Sequence, residues 1–218
     1  MKKLVIFDLD GTLVDSIQDL AYSANFALEA KGLPQNSLEE YYHFVGNGME
    51  RLIRNALKDK ATDDDLYLEV RRIFDKHYEE HSNDRTVPYP GVEKLLGKLS
   101  EKGIETAVLS NKAQRYIEPI LKKAFENHKF AVAYGQREGI PRKPDGTAVK
   151  MLAEELGYTL EDSVYIGDSE VDVLTAENAG IDLICVLWGF RSKDELLEAG
   201  AKELAENSDE LFDKIVSL

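Results

Sequence analysis

Leu4 to Phe7 is an unbroken apolar run bounded by Asp8 and Gly11, the pattern of a short strand buried on both faces. Comparable runs return at 106–109, 130–134, 164–166 and 183–187. Between them apolar positions fall three and four apart: Val92, Leu95, Leu96 and Leu99 before the stop signal Gly103; Tyr116, Ile117, Ile120 and Leu121; Val149, Leu152, Ala153 and Leu156 before Gly157. Short buried strands alternating with amphipathic helices predict an α/β fold, a doubly wound parallel sheet covered on both faces. The stretch 15–85 breaks this rhythm. It carries helical patterns at Ile17, Leu20, Ala21, Ala24 and Leu28, at Leu52, Ile53 and Leu57, and at Leu66, Val70 and Phe74, with no strand pattern. It ends at the turn-prone Val87-Pro88-Tyr89-Pro90-Gly91. The expectation is a helical insert, 15–85, placed after the first strand of a core made from 1–14 and 86–218. Asp63-Asp64-Asp65 reads as a helix start, where carboxylates favour the dipole.

In an open parallel sheet, functional groups gather at the carboxyl ends of the strands. The first strand ends in Asp8-Leu9-Asp10-Gly11-Thr12, two carboxylates spaced two apart, which share a face if the backbone stays extended. The second ends in Ser110-Asn111-Lys112, and Lys143-Pro144 stands in the loop before a helix. The fourth ends in Gly167-Asp168-Ser169-Glu170-Val171-Asp172, a carboxylate cluster on a turn that opens a helix. Any one of these is most simply a turn or a cap, but together they converge on one sheet edge. Carboxylates gathered there repel one another unless a cation is bound, and an all-oxygen ligand set suits Mg2+. Carboxylates beside a hard metal, a hydroxyl and a lysine form a phosphoryl-transfer set, in which one aspartate attacks phosphorus and a second moves protons.

Composition narrows the partners. Apolar residues make up 43% and charged residues 31% of 218, which is globular and long enough for one large domain or a domain with an insert. With 27 Lys+Arg against 41 Asp+Glu the formal net charge is −14, and this excludes the basic footprint that nucleic acid and anionic membrane surfaces require. The single cysteine, Cys185, lies in an apolar run and reads as a buried hydrophobe in a reducing compartment. Four apolar residues before Asp8 are too few for a signal-peptide core, and no run approaches the roughly 18 residues of a membrane span. A soluble, cytoplasmic protein is expected, monomer or homodimer.

The runs FDLDGTLVDS, SNK, RKP and GDSEVD, in that order and across essentially the whole chain, resemble the motifs of the haloacid dehalogenase-like hydrolase superfamily, in its phosphoglycolate phosphatase-like branch. The resemblance implies a Rossmann-like core with the insert as a cap that closes over the site. It implies Asp8 as nucleophile, Asp10 as general acid/base, Ser110 and the backbone of Asn111 as phosphate cradle, and Lys143 as charge neutraliser. Asp8, the carbonyl of Asp10 and Asp168 would bind Mg2+, with Asp172 assisting from behind them. Gly46 and Asn47 fall in Phe44-Val45-Gly46-Asn47-Gly48, placed like the substrate-facing loop of such a cap, although the same run is also a plain helix-to-helix turn. Trp188-Gly189-Phe190-Arg191 is a stretch similar to one in that branch, with Trp188 expected as a packing anchor. The third motif departs from many relatives in having Gly146 for a second proline. Leu20 and Met49 stand near the places where sugar-phosphate mutases carry a histidine and an arginine, and Asp10 argues against dehalogenation. The implied activity is hydrolysis of a small phosphate monoester, phosphoglycolate first, with pyrophosphate, nucleoside monophosphates and sugar phosphates as alternatives. A receiver-like phospho-acceptor is the reading of another class, and Asp10 and the insert both speak against it.

Two further patterns remain. His77 and His81 stand one helical turn apart, without the adjacent glutamate a metalloprotease needs, and are expected on a solvated helix surface. Arg51 and Arg54 are expected as exposed helix arginines.

Overall fold

The computed structural model describes residues 2–218, and in it the four apolar residues Leu4–Phe7 form strand β1, each 1% exposed or less. A strand buried on both faces needs neighbours at both edges. β1 has β4 (Glu105–Ala113) in parallel on one side and β6 (Ser163–Gly167) in parallel on the other, with Val5 opposite Thr106 and Val164. β5 (Ala133–Gln136) extends the sheet beyond β4, and β7 (Asp182–Val186) and β8 (Leu204–Ala205) extend it beyond β6. The order is β5-β4-β1-β6-β7-β8, all parallel, so the winding reverses at β1 and opens a crevice at its carboxyl end.

The sheet runs with helices α5 (Val92–Glu101), α6 (Gln114–Ala124), α7 (Thr147–Glu155), α8 (Glu170–Ala179), α9 (Lys193–Glu198) and α10 (Ser208–Ser217). Alternation places Leu4 and Ile6 on one sheet face with Ala107, Leu109 and Tyr165, against Val149 and Leu152 of α7 and Ala176 of α8. Each large side chain buried there contributes about 1.5–3 kcal/mol. Cys185 is fully buried in β7, as its apolar run implies.

Several boundaries differ from the sequence pattern. β4 continues past Leu109 through Ser110, Asn111 and Lys112, polar residues that an apolar-run criterion stops at. The run at 130–134 is a strand only from Ala133, because the Phe130 ring packs edge-on against Phe125 and His128 instead. β8 lies in a polar stretch and has no apolar signature. Two short strands that no pattern marks, β2 (Val14–Asp15) and β3 (Val87–Pro88), pair as a two-stranded ribbon.

The chain divides into two compact units, Met1–Asp15 with Pro88–Leu218 and Ser16–Val87, one or two residues from the expected boundaries. The second unit is helical: α1 (Ile17–Ala30), α2 (Leu38–Phe44), α3 (Gly48–Leu57) and α4 (Asp64–His81). Ser37 and Glu40 form a reciprocal capping box on α2, and Asp63 accepts from Leu66 N at 3.0 Å to cap α4. Its core holds Leu20, Leu28, Tyr41, Phe74 and Tyr78. Asp19 is 1% exposed and accepts from Arg85 N, Thr86 N and Thr86 Oγ1, all within 3.0 Å, so the start of α1 is fastened to the end of the unit. The histidine pair lies half-exposed on α4, with local partners. His77 stacks on Phe26 with ring centroids 4.1 Å apart and meets Ser23 Oγ at 2.9 Å, while His81 Nδ1 meets Asp84 at 2.8 Å. Arg54 is also engaged, by Glu50, Asp64 and the carbonyl of Ala61, whereas Arg51 is exposed.

Candidate active site

The carboxyl ends of β1, β4 and β6 bring Asp8, Ser110, Asn111, Asp168 and Asp172 together with Lys143. All are buried. Asp8 follows directly on β1, and its N–H donates to Ile166 O of β6 at 2.8 Å, so the residue is held in register with the sheet. Its Oδ1 accepts from Leu9 N at 2.7 Å, and Oδ2 lies 2.9 Å from Lys143 Nζ. Burial pushes the Asp8 carboxyl up to about 7, with the negative charges of Asp172 and Asp10 adding to the shift and Lys143 opposing it.

Lys143 is 4% exposed and has three contacts: Asp8 Oδ2, Asp172 Oδ1 at 2.8 Å and Tyr165 Oη at 2.9 Å. Burial alone would lower its pKa, but Asp172 and Asp8 hold it well above the ordinary lysine value, so the ammonium is permanent. Asp172 opens α8. Its Oδ1 accepts from Lys143 and from Tyr165 Oη at 3.1 Å; its Oδ2 accepts from Asp168 N, Ser169 N and Ser169 Oγ. Burial opposes its charge, yet these donors keep its carboxyl below the usual range. Asn111 Nδ2 donates to Lys143 O at 3.0 Å and thereby joins the end of β4 to the loop that carries the lysine.

Asp168 is wedged rather than ion-paired. Thr12 Oγ1 donates to its Oδ1 at 3.1 Å and Phe190 N to its Oδ2 at 2.7 Å. Trp188 Nε1 donates to Thr12 O at 3.0 Å, fastening the loop after β7 to the loop after β1, so Trp188 is an anchor as expected. Gly11 and Gly189 make this fit possible. Gly11 has φ +87°, and a Cβ there would lie 2.2 Å from Asp168 Oδ2; one on Gly189 would lie 2.3 Å from Asp168 Cβ. Burial raises the Asp168 carboxyl well above its ordinary value, and Asp172 and Asp8 raise it further.

One carboxylate oxygen from each of Asp8, Asp168 and Asp172 falls within 4.8 Å of the others. Lys143 is shared by Asp8 and Asp172, and among the described residues no ion pair involves Asp168. That deficit of positive charge, with oxygen donors only, fits a hard divalent cation between Asp8 and Asp168. Asp172 faces the chain with both oxygens, and is better suited to anchoring Lys143 than to ligating.

Asp10 stands two residues beyond Asp8, and Lys112 Nζ lies 2.9 Å from its Oδ1 and 3.1 Å from its Oδ2. Lys112, which the sequence pattern places at the end of the second strand without a role, and Tyr165, which it does not mark, also belong to the site. Lys112 shares strand parity with Ser110, which places the two on one face. Tyr165 is the polar-tipped member of a strand otherwise apolar on both faces, and a buried phenol needs a partner. Gly46 and Asn47 lie in the loop between α2 and α3 of the helical unit, with Gly46 at φ +115°.

The profile of the haloacid dehalogenase-like hydrolase family matches residues 5–186. Phosphoglycolate phosphatase of Pseudomonas putida is 37% identical over 194 residues, 87% of this chain and 71% of the relative. That of Vibrio parahaemolyticus is 31% identical over 218 residues, 98% of this chain and 96% of the relative. A crystal structure from Lactobacillus delbrueckii subsp. bulgaricus, solved under the provisional name phosphoglycolate phosphatase, superposes with a TM-score of 0.92 at 32% identity, covering 99% of both chains.

Proposed function

Because the chain belongs to the haloacid dehalogenase-like hydrolase family, we propose that it hydrolyses a small phosphate monoester, 2-phosphoglycolate first, through an aspartyl-phosphate on Asp8 with magnesium as cofactor. The observation that carries this reading is the pairing of two aspartates with two lysines: Asp8 Oδ2 lies 2.9 Å from Lys143 and Asp10 Oδ1 lies 2.9 Å from Lys112. The nucleophile and the proton carrier are thus held separately, two residues apart on one strand end.

Asp8 attacks phosphorus, a P–O bond forms to its carboxylate, and the bond to the substrate alkoxide breaks. Asp10, protonated at that moment, gives its proton to the leaving oxygen. Asp10 as carboxylate then takes a proton from the water that attacks the phosphorus, and inorganic phosphate leaves with Asp8 restored. Ser110 Oγ and Asn111 N cradle the phosphoryl oxygens. Each close approach of two like charges costs about 4 kcal/mol at an effective dielectric of ~20, so Lys143 must face the incoming dianion. Asp8, the carbonyl of Asp10 and Asp168 would hold Mg2+, which supplies charge neutralisation at the phosphoryl oxygens. Asp172 acts through Lys143. We assign the helical unit the role of cap, and Gly46 and Asn47 that of reading the substrate. Among the described residues no helix is long and apolar enough to cross a membrane, and we take the protein to work in the cytoplasm on free metabolites.

The test is phosphate release with Mg2+ from phosphoglycolate, pyrophosphate, a nucleoside monophosphate and a sugar phosphate, for the wild type and for Asp8→Asn. The expected result is the highest kcat/KM on phosphoglycolate and no turnover by the variant. A flat profile would refute the substrate assignment, and full activity of Asp8→Asn would refute the covalent route.

A further inference from the structure

The side chain of Lys112 is wholly withdrawn from solvent, at 0% exposure, and its ammonium spans both oxygens of Asp10 at 2.9 and 3.1 Å. Removing an ammonium from water costs several kcal/mol unless its charge is met, and Asp10 meets it here. The backbone that delivers it is built for the purpose. β4 and β5 are in register at Leu109 and Tyr134 and meet again at Ala113 and Gln136, so three residues of β4 lie between the pairs against one of β5, and the irregularity falls on Ser110, Asn111 and Lys112. Irregular strand ends of this kind re-aim side chains. Three contacts fix the result. Lys112 N donates to Ser110 Oγ at 3.2 Å; Gln114 bridges to β5 through Ala133 O at 3.0 Å and Gly135 N at 2.7 Å; and Gly135 lets β5 approach, since a Cβ there would lie 2.4 Å from Lys112 O.

We infer that Lys112 is a positioning residue that holds the Asp10 carboxylate in its reactive rotamer for proton transfer, separately from the Lys143 group that serves Asp8. An aspartate side chain has several staggered rotamers open to it. A general acid must meet the leaving oxygen within hydrogen-bond reach and a water in the next step, so a misplacement of about 1 Å is costly. A cation bound to both oxygens fixes the carboxylate plane, and rotation about Cα–Cβ then breaks two charge-assisted contacts at once. Lys143 cannot do this work, because its contacts are Asp8, Asp172 and Tyr165. The Ser110 hydroxyl that meets the Lys112 N–H also ties the phosphate cradle to the holder of the proton carrier.

This inference rests on the proposed role of Asp10, and the test separates the two. Lys112→Met removes the charge and keeps the length; Lys112→Arg restores two-point contact with a planar fork. On an alkyl phosphate such as phosphoglycolate, Lys112→Met should lower kcat by about 10- to 100-fold, short of the 10² to 10⁴ that losing the acid/base itself costs, with KM within about twofold. Lys112→Arg should recover most of that loss. With para-nitrophenyl phosphate the leaving group needs no proton, so the first-turnover rate of nitrophenol release from Lys112→Met should stay near that of the wild type, which also shows that the variant is folded, while hydrolysis of the aspartyl-phosphate slows. In the Asp10→Asn background Lys112→Met should cost nothing further, because a holder without its carboxylate has no function. An additive double variant, an equal loss in the phosphorylation step on both substrates, or a rise in KM with kcat unchanged would overturn the inference in favour of a general structural or phosphate-binding lysine. If Asp10→Asn itself kept wild-type kcat, the reading of Asp10 would fail, and that failure shows without any Lys112 variant.

Discussion

Lys143 Nζ lies 2.8 Å from Asp172 Oδ1, and the carboxylate it rests on is already engaged on every side, by Tyr165 at Oδ1 and by Asp168 N, Ser169 N and Ser169 Oγ at Oδ2. The helix start of α8 therefore holds the lysine in place from beneath, and the lysine in turn faces Asp8. Replacing Asp172 by Asn turns an acceptor into a donor on one side, toward either Lys143 or the backbone N–H groups. Breaking a buried ion pair from one side typically costs about 3–5 kcal/mol. Asp172→Asn should therefore unfold at a clearly lower denaturant midpoint and lose activity, and Lys143→Met/Asp172→Asn should regain stability without regaining turnover. Equilibrium denaturation with parallel phosphate-release assays checks both.

Lys143→Ala should abolish most turnover, and Lys143→Arg should rescue little of it. The site asks for a compact ammonium touching Asp8, Asp172 and Tyr165 together, which a planar fork does not reproduce. Measured kcat/KM of the three proteins decides the point.

The metal-free protein should lose stability as pH rises. The folded Asp8 carboxyl is raised to about 7, against an ordinary value of about 4, so between these limits the folded state binds more protons than the unfolded state. Stability is then highest at the acid end of that window and falls through it, and Asp168, raised for the same reason of burial, acts in the same direction. Mg2+ favours the ionised carboxylates, so its stabilising shift in Tm should be larger at pH 8 than at pH 5. Asp168→Asn should raise the metal-free Tm and abolish the metal response. Thermal melts across pH with EDTA and with Mg2+ read all three effects.

Gly189→Ala should act on the metal-binding side without touching the nucleophile. The added methyl would lie 2.3 Å from Asp168 Cβ and 2.5 Å from Gly11 O, so Asp168 must move. The expected outcome is a higher Mg2+ requirement, read from activity against metal concentration, with an unchanged unfolding pattern for the helical unit.

Asp19→Ala should loosen the helical unit. It leaves the Thr86 N–H without its acceptor in a buried place and the Thr86 hydroxyl with only Ser82 O at 3.4 Å, at a cost of about 1–3 kcal/mol. Hydrogen exchange should report faster opening at 85–87 and in the first turn of α1.

Legibility in the sequence followed a physical rule. Strands buried on both faces, such as Leu4–Phe7 and Ser163–Gly167, announce themselves by unbroken apolar runs, and the residues just beyond them form the site. Asp8, Asp168, Asp172 and Lys143 could be placed together because sheet topology puts strand ends side by side. Lys112 and Tyr165 were harder to see, since a lysine inside a strand is ordinarily solvated and a tyrosine in an apolar run ordinarily packs. Only the tertiary neighbours, Asp10 and Lys143, give them roles. β2, β3 and β8 are two residues each, too short for any periodicity, and the stacking of His77 on Phe26 depends on a helix 50 residues away.

The position of β1 bears on how the chain is made. The strand at the centre of the sheet precedes both of its partners along the chain, which begin at Glu105 and Ser163. At about 5–20 residues per second, β1 waits roughly 5–20 s for its first neighbour and longer for its second. The helical unit Ser16–Val87, complete before either partner emerges and fastened by Asp19 to Thr86, is free to fold in that interval. Asp8 is thus synthesised without Lys143, Asp168 or any sheet around it, and becomes a buried carboxylate only after the chain has been made past Asp168.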